Sequence, residues 1–271
     1  MAAMEIESPA NPRIRAALNL RQRRERDRSG LTLVDGAREA VRALGAGVAV
    51  EMAFVCEPLV DSEDGASALA ILMERHVEVL SVAERAFARL AYGDRADGVI
   101  LVVRAPSTDL ATIRLGATER DPLVVVTEDL EKPGNLGAIL RSADGAGVAA
   151  VIAAGGTDLF NPNVIRASIG TVFSVPLAAA PAEAVLLWLR EHRVRIVGAK
   201  VDAERLHTDA DLTGPLALAL GNEAAGLSAA WDAPDVEAVR LPMLGAADSL
   251  NVSVAGAVLM YEARRQRDRA G

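Results

Sequence analysis

Residues 122–156 read PLVVVTEDLEKPGNLGAILRSADGAGVAAVIAAGG and predict one complete strand–helix–strand unit. PLVVVTEDL and VAAVIAAGG are apolar runs of strand length, and the apolar residues of NLGAILRSADGAG between them recur at helical spacing. Two strands connected through a helix pair in parallel, in a sheet that helices cover. This stretch therefore predicts an α/β fold.

The same alternation continues to the C-terminus. Asn161-Pro162 opens a helix, because proline suits the first helical turn. The elements that follow are a strand near TVFSVPL, a helix at AEAVLLWLREH, strands at VRIVGAK, LALALGNE and VEAVRLPM, and a last helix from about Leu250 to Arg269. Residues 122–271 thus predict a six-stranded α/β domain.

Residues 1–104 predict a smaller α/β domain. Its elements are a basic helix, a strand at LTLVDG, a helix at AREAVRALGAG, a strand at VAVEMAFVC, a helix that ends near Arg75, a strand at VEVL, a helix at SVAERAFARLA and a strand at GVILVV. This alternation favours a mainly parallel sheet here too. Residues 105–121 have mixed charge and no sustained period, so we interpret them as a linker.

Composition excludes several classes of protein. The chain has 271 residues, of which 51% are hydrophobic and 24% charged, as in ordinary globular proteins. The longest uncharged stretch, 167–182, is interrupted by glycine and prolines and is shorter than the roughly 20 residues of a membrane span. Glu5 and Glu7 replace the positive charge of a secretory signal, so we expect a cytoplasmic protein. One cysteine and three scattered histidines predict neither a disulfide nor a metal site.

The formal net charge of −8 argues against a protein that coats nucleic acid by bulk electrostatics. Between Arg13 and Arg28, however, there are seven arginines and only two acidic residues, Glu25 and Asp27. This segment is a candidate phosphate-contacting face, and the alternative is a solvated helix whose arginines lie over apolar neighbours. Aromatic residues make up only 3% of the chain, so RNA binding would rest mainly on shape and phosphates.

Two glycine patterns, Gly45-Ala-Gly47 and Gly145-Ala-Gly147, superficially resemble a dinucleotide-binding site. In such a site the glycines follow a strand and open a helix. Here both patterns close a helix and open a strand, where glycine serves as a left-handed helix cap. This order disfavours a dinucleotide oxidoreductase.

Three other segments carry polar side chains at strand or helix ends. They are Glu131 to Arg141, in which a Pro-Gly turn precedes Asn135; LGNEAAGLS at 220–228, in which a strand stops before Asn222 and Glu223; and Leu241-Pro-Met followed by SLNVS at 249–253. Ligands of open α/β sheets bind beyond the carboxyl ends of the strands. Each segment alone is equally well explained as a helix cap or a turn.

Together and in this order, the three segments resemble the motifs of the SpoU (TrmH-like) family of RNA ribose 2′-O-methyltransferases, in the SPOUT superfamily. NPNVIRASIGTVFSVP is also similar to the family's second helix and following strand. The resemblance extends from Pro122 to the C-terminus. ANPRIRAALNLRQRRERDRSGLTLVDGAREA is similar to the start of the family's N-terminal module, an RNA binder that resembles a ribosomal protein.

The resemblance implies a Rossmann-like domain with a C-terminal trefoil knot, S-adenosylmethionine bound by the knotted loops, and a homodimer whose active site draws on both subunits. Matching motif positions implies a catalytic set of Asn135, Arg141, Glu223, Ser249 and Asn251. The residues implied around the cofactor are Ala199, Gly221, Leu241, Met243 and Leu250.

The implied reaction is attack of a ribose hydroxyl on a sulfonium methyl group, which needs proton removal and alignment. The arginine that matches Arg141 is the family's proposed base, but a guanidinium is a poor proton acceptor. We therefore interpret Arg141 as an anchor for phosphate and oxyanion, with Asn135 orienting it. Ser249 and Asn251 are expected to hold the hydroxyl or the helix end, and Glu223 either the substrate or its own loop.

The expected activity is methylation of RNA, with large-subunit ribosomal RNA as the substrate that family analogy favours. Two alternatives stay open. One is a 2′-O-methyltransferase of transfer RNA, and the other is an RNA-binding protein that kept the fold without catalysis.

Overall fold

The computed structural model describes residues 5–92, 97–115 and 121–270. The chain forms two compact units. The first unit comprises Met1–Pro106 and Phe160–Ser174, and the second comprises Ser107–Leu159 and Val175–Gly271. The first unit thus contains a segment that the sequence assigns to the C-terminal domain.

The first unit has a four-stranded sheet in the order β1-β4-β2-β3. Its strands are β1 (Leu31–Asp35), β2 (Val50–Val55), β3 (Val79–Ser81) and β4 (Val99–Arg104). Its helices are α1 (Pro12–Asn19), α2 (Arg23–Ser29), α3 (Ala37–Gly45), α4 (Glu63–Glu74), α5 (Glu84–Leu90) and, from the second segment, α7 (Pro162–Ala167). Ile14, Leu33, Phe54, Phe87 and Ile100 are among its buried core residues.

The mainly parallel sheet predicted for this unit is wrong. Strand β4 lies between β1 and β2 and runs antiparallel to both, whereas β2 and β3 pair in parallel. Alternation along the chain shows that a helix follows each strand, but it does not show where the last strand enters the sheet.

The single basic helix predicted at the start is two helices. Helix α1 ends at Asn19, and α2 begins at Arg23. Arg26 is buried and donates a hydrogen bond of 2.8 Å to the carbonyl of Leu20, within the break between the helices. An arginine that looks like a surface charge in the sequence therefore stabilises the break.

The second unit has a six-stranded, wholly parallel sheet in the order β10-β8-β9-β5-β6-β7, as the sequence predicts. The strands are β5 (Leu123–Glu128), β6 (Ala150–Ala154), β7 (Leu177–Ala180), β8 (Arg195–Ala199), β9 (Leu216–Leu220) and β10 (Val236–Val239). The helices are α6 (Pro133–Ala146), α8 (Ala182–Glu191) and α9 (Val252–Ala270). Val124, Ile152, Trp188, Ala217 and Trp231 belong to the core.

Two local predictions need correction or refinement. Thr171–Phe173 of the predicted strand TVFSVPL form a 3-10 turn, and β7 begins only at Leu177, after Pro176. Part of the predicted linker belongs to the second unit: Thr108 accepts a hydrogen bond of 2.8 Å from the backbone of Ala179, and Ile113 is buried in the core. Residues 116–120 of that linker lie outside the described residues.

The glycine patterns behave as helix caps. Gly147 ends α6 with φ 68°, and Gly47 follows α3 with φ 74°. In the described parts of the chain, no helix is long and apolar enough to cross a membrane. Within the same residues, no group of three or more histidine, cysteine, aspartate or glutamate side chains is placed to hold a metal ion.

Candidate active site

A cavity of about 710 Å³ lies beyond the carboxyl ends of β8, β9 and β10. Its walls include all the residues predicted around the cofactor, namely Ala199, Gly221, Leu241, Met243 and Leu250. Of the predicted catalytic residues, Glu223, Ser249 and Asn251 also line it. Parallel strands place these loops at one edge of the sheet, which is why residues far apart in sequence share one cavity.

The loop after β9 closes tightly on itself. Asn222 and Gly226 exchange two backbone hydrogen bonds of 3.0 Å, and the side chain of Asn222 accepts from the N–H groups of Ala224 and Ala225. A Cβ atom on Gly221 would lie 2.1 Å from the carbonyl carbon of Gly226. Only glycine therefore lets the loop fold back over the end of the strand.

Two contacts from the end of β5 hold this loop. The side chain of Asn222 donates a hydrogen bond of 2.8 Å to the carbonyl of Asp129. The buried carboxylate of Glu128 accepts 2.7 Å hydrogen bonds from both the backbone N–H and the hydroxyl of Ser228. Sequence reasoning missed Glu128, although a glutamate that ends an apolar strand was the available signal.

A chain of side-chain hydrogen bonds joins three predicted catalytic residues. The Nδ2 of Asn135 donates to Oε1 of Glu223 at 2.6 Å, and the Nδ2 of Asn251 donates to Oδ1 of Asn135 at 3.1 Å. The Oδ1 of Asn251 in turn accepts from the backbone N–H of Ser253, at the start of α9. Asn135 thus connects the β9 loop with α9.

Glu223 is poised as a carboxylate. Partial burial raises its pKa, but hydrogen bonds from the Asn135 side chain and from the backbone N–H groups of Glu223, Glu131 and Lys132 outweigh burial, so the pKa is lowered overall. At neutral pH this side chain accepts hydrogen bonds and carries a negative charge. It has no proton to donate.

Arg141 lies apart from this chain of hydrogen bonds. It is exposed on α6, less than two turns after Asn135. Among the described residues its guanidinium has no hydrogen-bond or ion-pair partner, and the suggested contact with Asn135 is absent because that amide bonds Glu223 and Asn251. All of its donors are therefore available to a substrate.

An ion pair that the sequence analysis did not predict also lines the cavity. Lys200, directly after β8, donates to the carboxylate of Asp232 and, at 3.4 Å, to the carbonyl of Trp231. Lys200 and Asp232 both line the cavity. The pair connects the end of β8 with the segment that follows the β9 loop.

Two sequence families match the chain. The family described as the SpoU rRNA Methylase family matches residues 122–261, and the MRM3-like substrate binding domain matches residues 11–101. The chain is 33% identical over 258 residues to the 23S rRNA (uridine(2479)-2'-O)-methyltransferase of Streptomyces viridochromogenes, an alignment that covers 92% of this chain and 87% of the relative.

Solved structures agree with these matches. The crystal structure of an RNA 2'-O ribose methyltransferase is 44% identical, has a TM-score of 0.83, and covers 97% of this chain and 99% of that one. The SpoU methyltransferase AviRb from Streptomyces viridochromogenes, in complex with the cofactor AdoMet, is 32% identical with a TM-score of 0.83, over 94% of this chain and 98% of that one.

Proposed function

The chain belongs to the SpoU rRNA methylase family, and we propose that it methylates a ribose 2′-hydroxyl of large-subunit ribosomal RNA. It is an RNA 2′-O-methyltransferase that uses S-adenosylmethionine. The observation that carries the proposal is the hydrogen-bonded chain of Asn251, Asn135 and Glu223, which brings all three sequence motifs to one cavity. With ribosomal RNA as its substrate, the proposed enzyme acts in the cytoplasm.

The cavity fits the cofactor. Its volume lies in the range of small-molecule sites, and its walls combine apolar side chains such as Leu241 and Met243 with the backbone groups of the β9 loop. These surfaces suit a flat nucleoside with polar substituents. When bound, S-adenosylmethionine supplies a methyl group on a sulfonium centre.

The protein's own residues position the hydroxyl that is methylated. Arg141 anchors the RNA phosphate and stabilises the developing oxyanion with its unpaired donors. Ser249 presents an exposed hydroxyl at the rim of the cavity and holds the ribose. The carboxylate of Glu223 accepts a hydrogen bond from Asn135 and so holds the β9 loop, which forms one wall of the cofactor cavity.

The active form is a homodimer. Val254, Val258 and Tyr261 form an exposed apolar stripe on α9, and Leu250 is exposed just before the helix. Contiguous exposed apolar surface marks an interface. We assign the stripe to a second copy of this chain, as the family resemblance implies.

The substrate and the activity are tested together by incubating the purified full chain with radiolabelled S-adenosylmethionine and, separately, large-subunit ribosomal RNA, small-subunit ribosomal RNA and transfer RNA. We expect label only in the large-subunit RNA, as a 2′-O-methylated nucleotide that survives alkaline hydrolysis. Label in transfer RNA would instead identify transfer RNA as the substrate. Cofactor binding without label in any RNA would support the non-catalytic alternative.

A further inference from the structure

The ring of Tyr92 lies near two arginines that are distant in sequence. The guanidinium carbons of Arg21 and Arg166 each lie 5.3 Å from the centre of the Tyr92 ring. Arg21 comes from the break between α1 and α2, Tyr92 follows α5, and Arg166 belongs to α7. We call these three residues the tyrosine cluster; all of them belong to the first unit.

Backbone carbonyls hold both guanidinium groups in place. Arg21 donates to the carbonyls of Leu90 and Ala91 at 2.8 and 3.0 Å, and Arg166 donates to the carbonyl of Tyr92. A guanidinium has five N–H donors, so each arginine keeps donors for a ligand. Because the two side chains are already ordered, a ligand would bind them at a small cost in conformational entropy.

Asp35 supports the cluster from a buried position. Its carboxylate accepts a 2.6 Å hydrogen bond from the backbone N–H of Tyr92 and lies 3.6 Å from Arg166. Burial raises the pKa of Asp35 to about 6, against the lowering effect of the Tyr92 hydrogen bond and of Arg166 and Arg21. Asp35 is 7% exposed and Tyr92 is 42% exposed, so a ligand meets the ring before the carboxylate.

An exposed aromatic ring is rare in this protein. Only eight residues of the chain are aromatic, and Tyr92 and Tyr261 are the large exposed ones in the parts that the structure describes. Tyr261 belongs to the α9 stripe. Among the described residues of the first unit, Tyr92 is thus the large exposed aromatic side chain, and two guanidinium groups lie near its ring.

We propose that the tyrosine cluster binds one unpaired nucleotide of the substrate RNA, the base against the ring and guanidinium planes and the phosphate on the free guanidinium donors. Sequence-specific RNA recognition uses bases stacked on aromatic rings and arginine planes, and arginine forks bind phosphate. The proposal rests on the proposed function, because it takes RNA as the substrate. It assigns a base contact to a chain whose aromatic content favours shape and phosphates alone.

The test measures binding of the full chain to a fluorescent single-stranded 12-nucleotide RNA and to a duplex of the same length. Tyr92→Leu should weaken single-strand binding about tenfold, the scale of one lost base stack, and should leave duplex binding within twofold. Tyr92→Phe keeps the ring and should bind as the wild type does. In the methyl-transfer assay, Tyr92→Leu should raise the KM for RNA more than it lowers kcat.

Arg21→Gln tests the cluster without removing the ring. It should weaken single-strand binding and lower the salt dependence of binding by about one released counterion. Arg89→Gln makes the same charge change on the exposed side of α5 and should have smaller effects on both the affinity and its salt dependence. Equal binding by wild type and a folded Tyr92→Leu protein would overturn the proposal. If Tyr92→Leu does not fold, equal effects of Arg21→Gln and Arg89→Gln would overturn it. Binding needs no methyl transfer, so failure of the proposed function would be seen separately.

Discussion

Arg141 and Asn135 belong to one helix but have different surroundings, because Asn135 is hydrogen-bonded to Glu223 and Asn251 whereas the Arg141 guanidinium has no partner among the described residues. Arg141→Ala should lower kcat by about 100-fold or more, because in the proposed mechanism the lost contact is made in the transition state. Its affinity for S-adenosylmethionine should stay within a few-fold of wild type, since Arg141 lies outside the walls of the cavity. Calorimetry with the cofactor and single-turnover kinetics on the RNA measure the two effects.

Two variants serve as controls for this prediction. Arg141→Lys keeps the charge and loses the planar fork, so a strong loss of turnover in this variant indicates bidentate positioning. Asn135→Ala breaks the link between Glu223 and Asn251 and should weaken cofactor binding as well as turnover. Near-normal turnover of a folded, dimeric Arg141→Ala enzyme would contradict the proposed anchor.

Gly221 is the residue whose size decides whether the β9 loop closes. Gly221→Ala puts a Cβ atom against the backbone of Gly226 and Leu227, so the loop must move and cofactor affinity should fall about tenfold or more. Gly45→Ala is the matched control, because a Cβ there meets no atom within 4 Å. Titration of both variants with S-adenosylmethionine checks the prediction, and equal affinities would contradict it.

At the scale of elements, α9 has two different faces. Leu259, Met260 and Ala263 are buried, and a Cβ on Gly256 would lie 2.7 Å from the side chain of Leu220, so this face packs closely on the sheet unit. The opposite side carries the exposed apolar stripe. We expect a partner to cover this second face, because contiguous exposed apolar surface marks an interface.

If the proposed homodimer forms through α9, Val258→Glu should convert it into a monomer, because this change places a charge in the middle of the proposed apolar interface. Leu187→Glu is the control: Leu187 is 58% exposed on α8, away from the stripe, so the same chemical change should leave the dimer intact. Sedimentation velocity at micromolar concentration measures both. A dimeric Val258→Glu protein, or a wild-type monomer, would remove α9 from the interface.

At the scale of the whole molecule, the two units are not two consecutive pieces of chain. Residues 160–174 leave the second unit's sequence and belong to the first unit, where Thr32 donates a 2.7 Å hydrogen bond to the carbonyl of Phe160 and Arg42 donates to that of Ile169. Phe160 and Phe173 stack within this segment. Cutting the chain at residue 106 therefore removes the partners of α7.

A protein that lacks residues 1–106 should still bind S-adenosylmethionine, since every residue that lines the cavity lies beyond the cut. It should lose RNA affinity, and residues 160–174 should become sensitive to protease. Calorimetry and limited proteolysis, each compared with the full chain, measure these outcomes. Loss of cofactor binding in a folded, dimeric truncation would contradict this division of tasks, and a protected 160–174 segment would show that α7 does not depend on the first unit.

The sequence alone predicted most of the elements and the position of the candidate site. Apolar runs that alternate with helices predicted the six parallel strands of the second unit. The runs that stop at Ala199 and Gly221 indicated the carboxyl ends of two strands, beyond which polar residues line the cavity. These are local signals, because the side chains of a strand or helix repeat with the geometry of its own backbone. Three motifs in the family's order indicated the SpoU family. The trefoil knot that this family implies stays a prediction.

Tertiary structure alone decided which elements are neighbours. The entry of β4 between β1 and β2, the partners of Asn135 and the meeting of Arg21, Tyr92 and Arg166 all join residues that are remote in sequence. Such contacts depend on how buried surfaces fit together across the whole unit, and many strand orders satisfy the same periodic pattern. From the sequence, Asn135 is expected to orient Arg141, but in the folded unit the side chain of Asn135 bonds Glu223 and Asn251 instead.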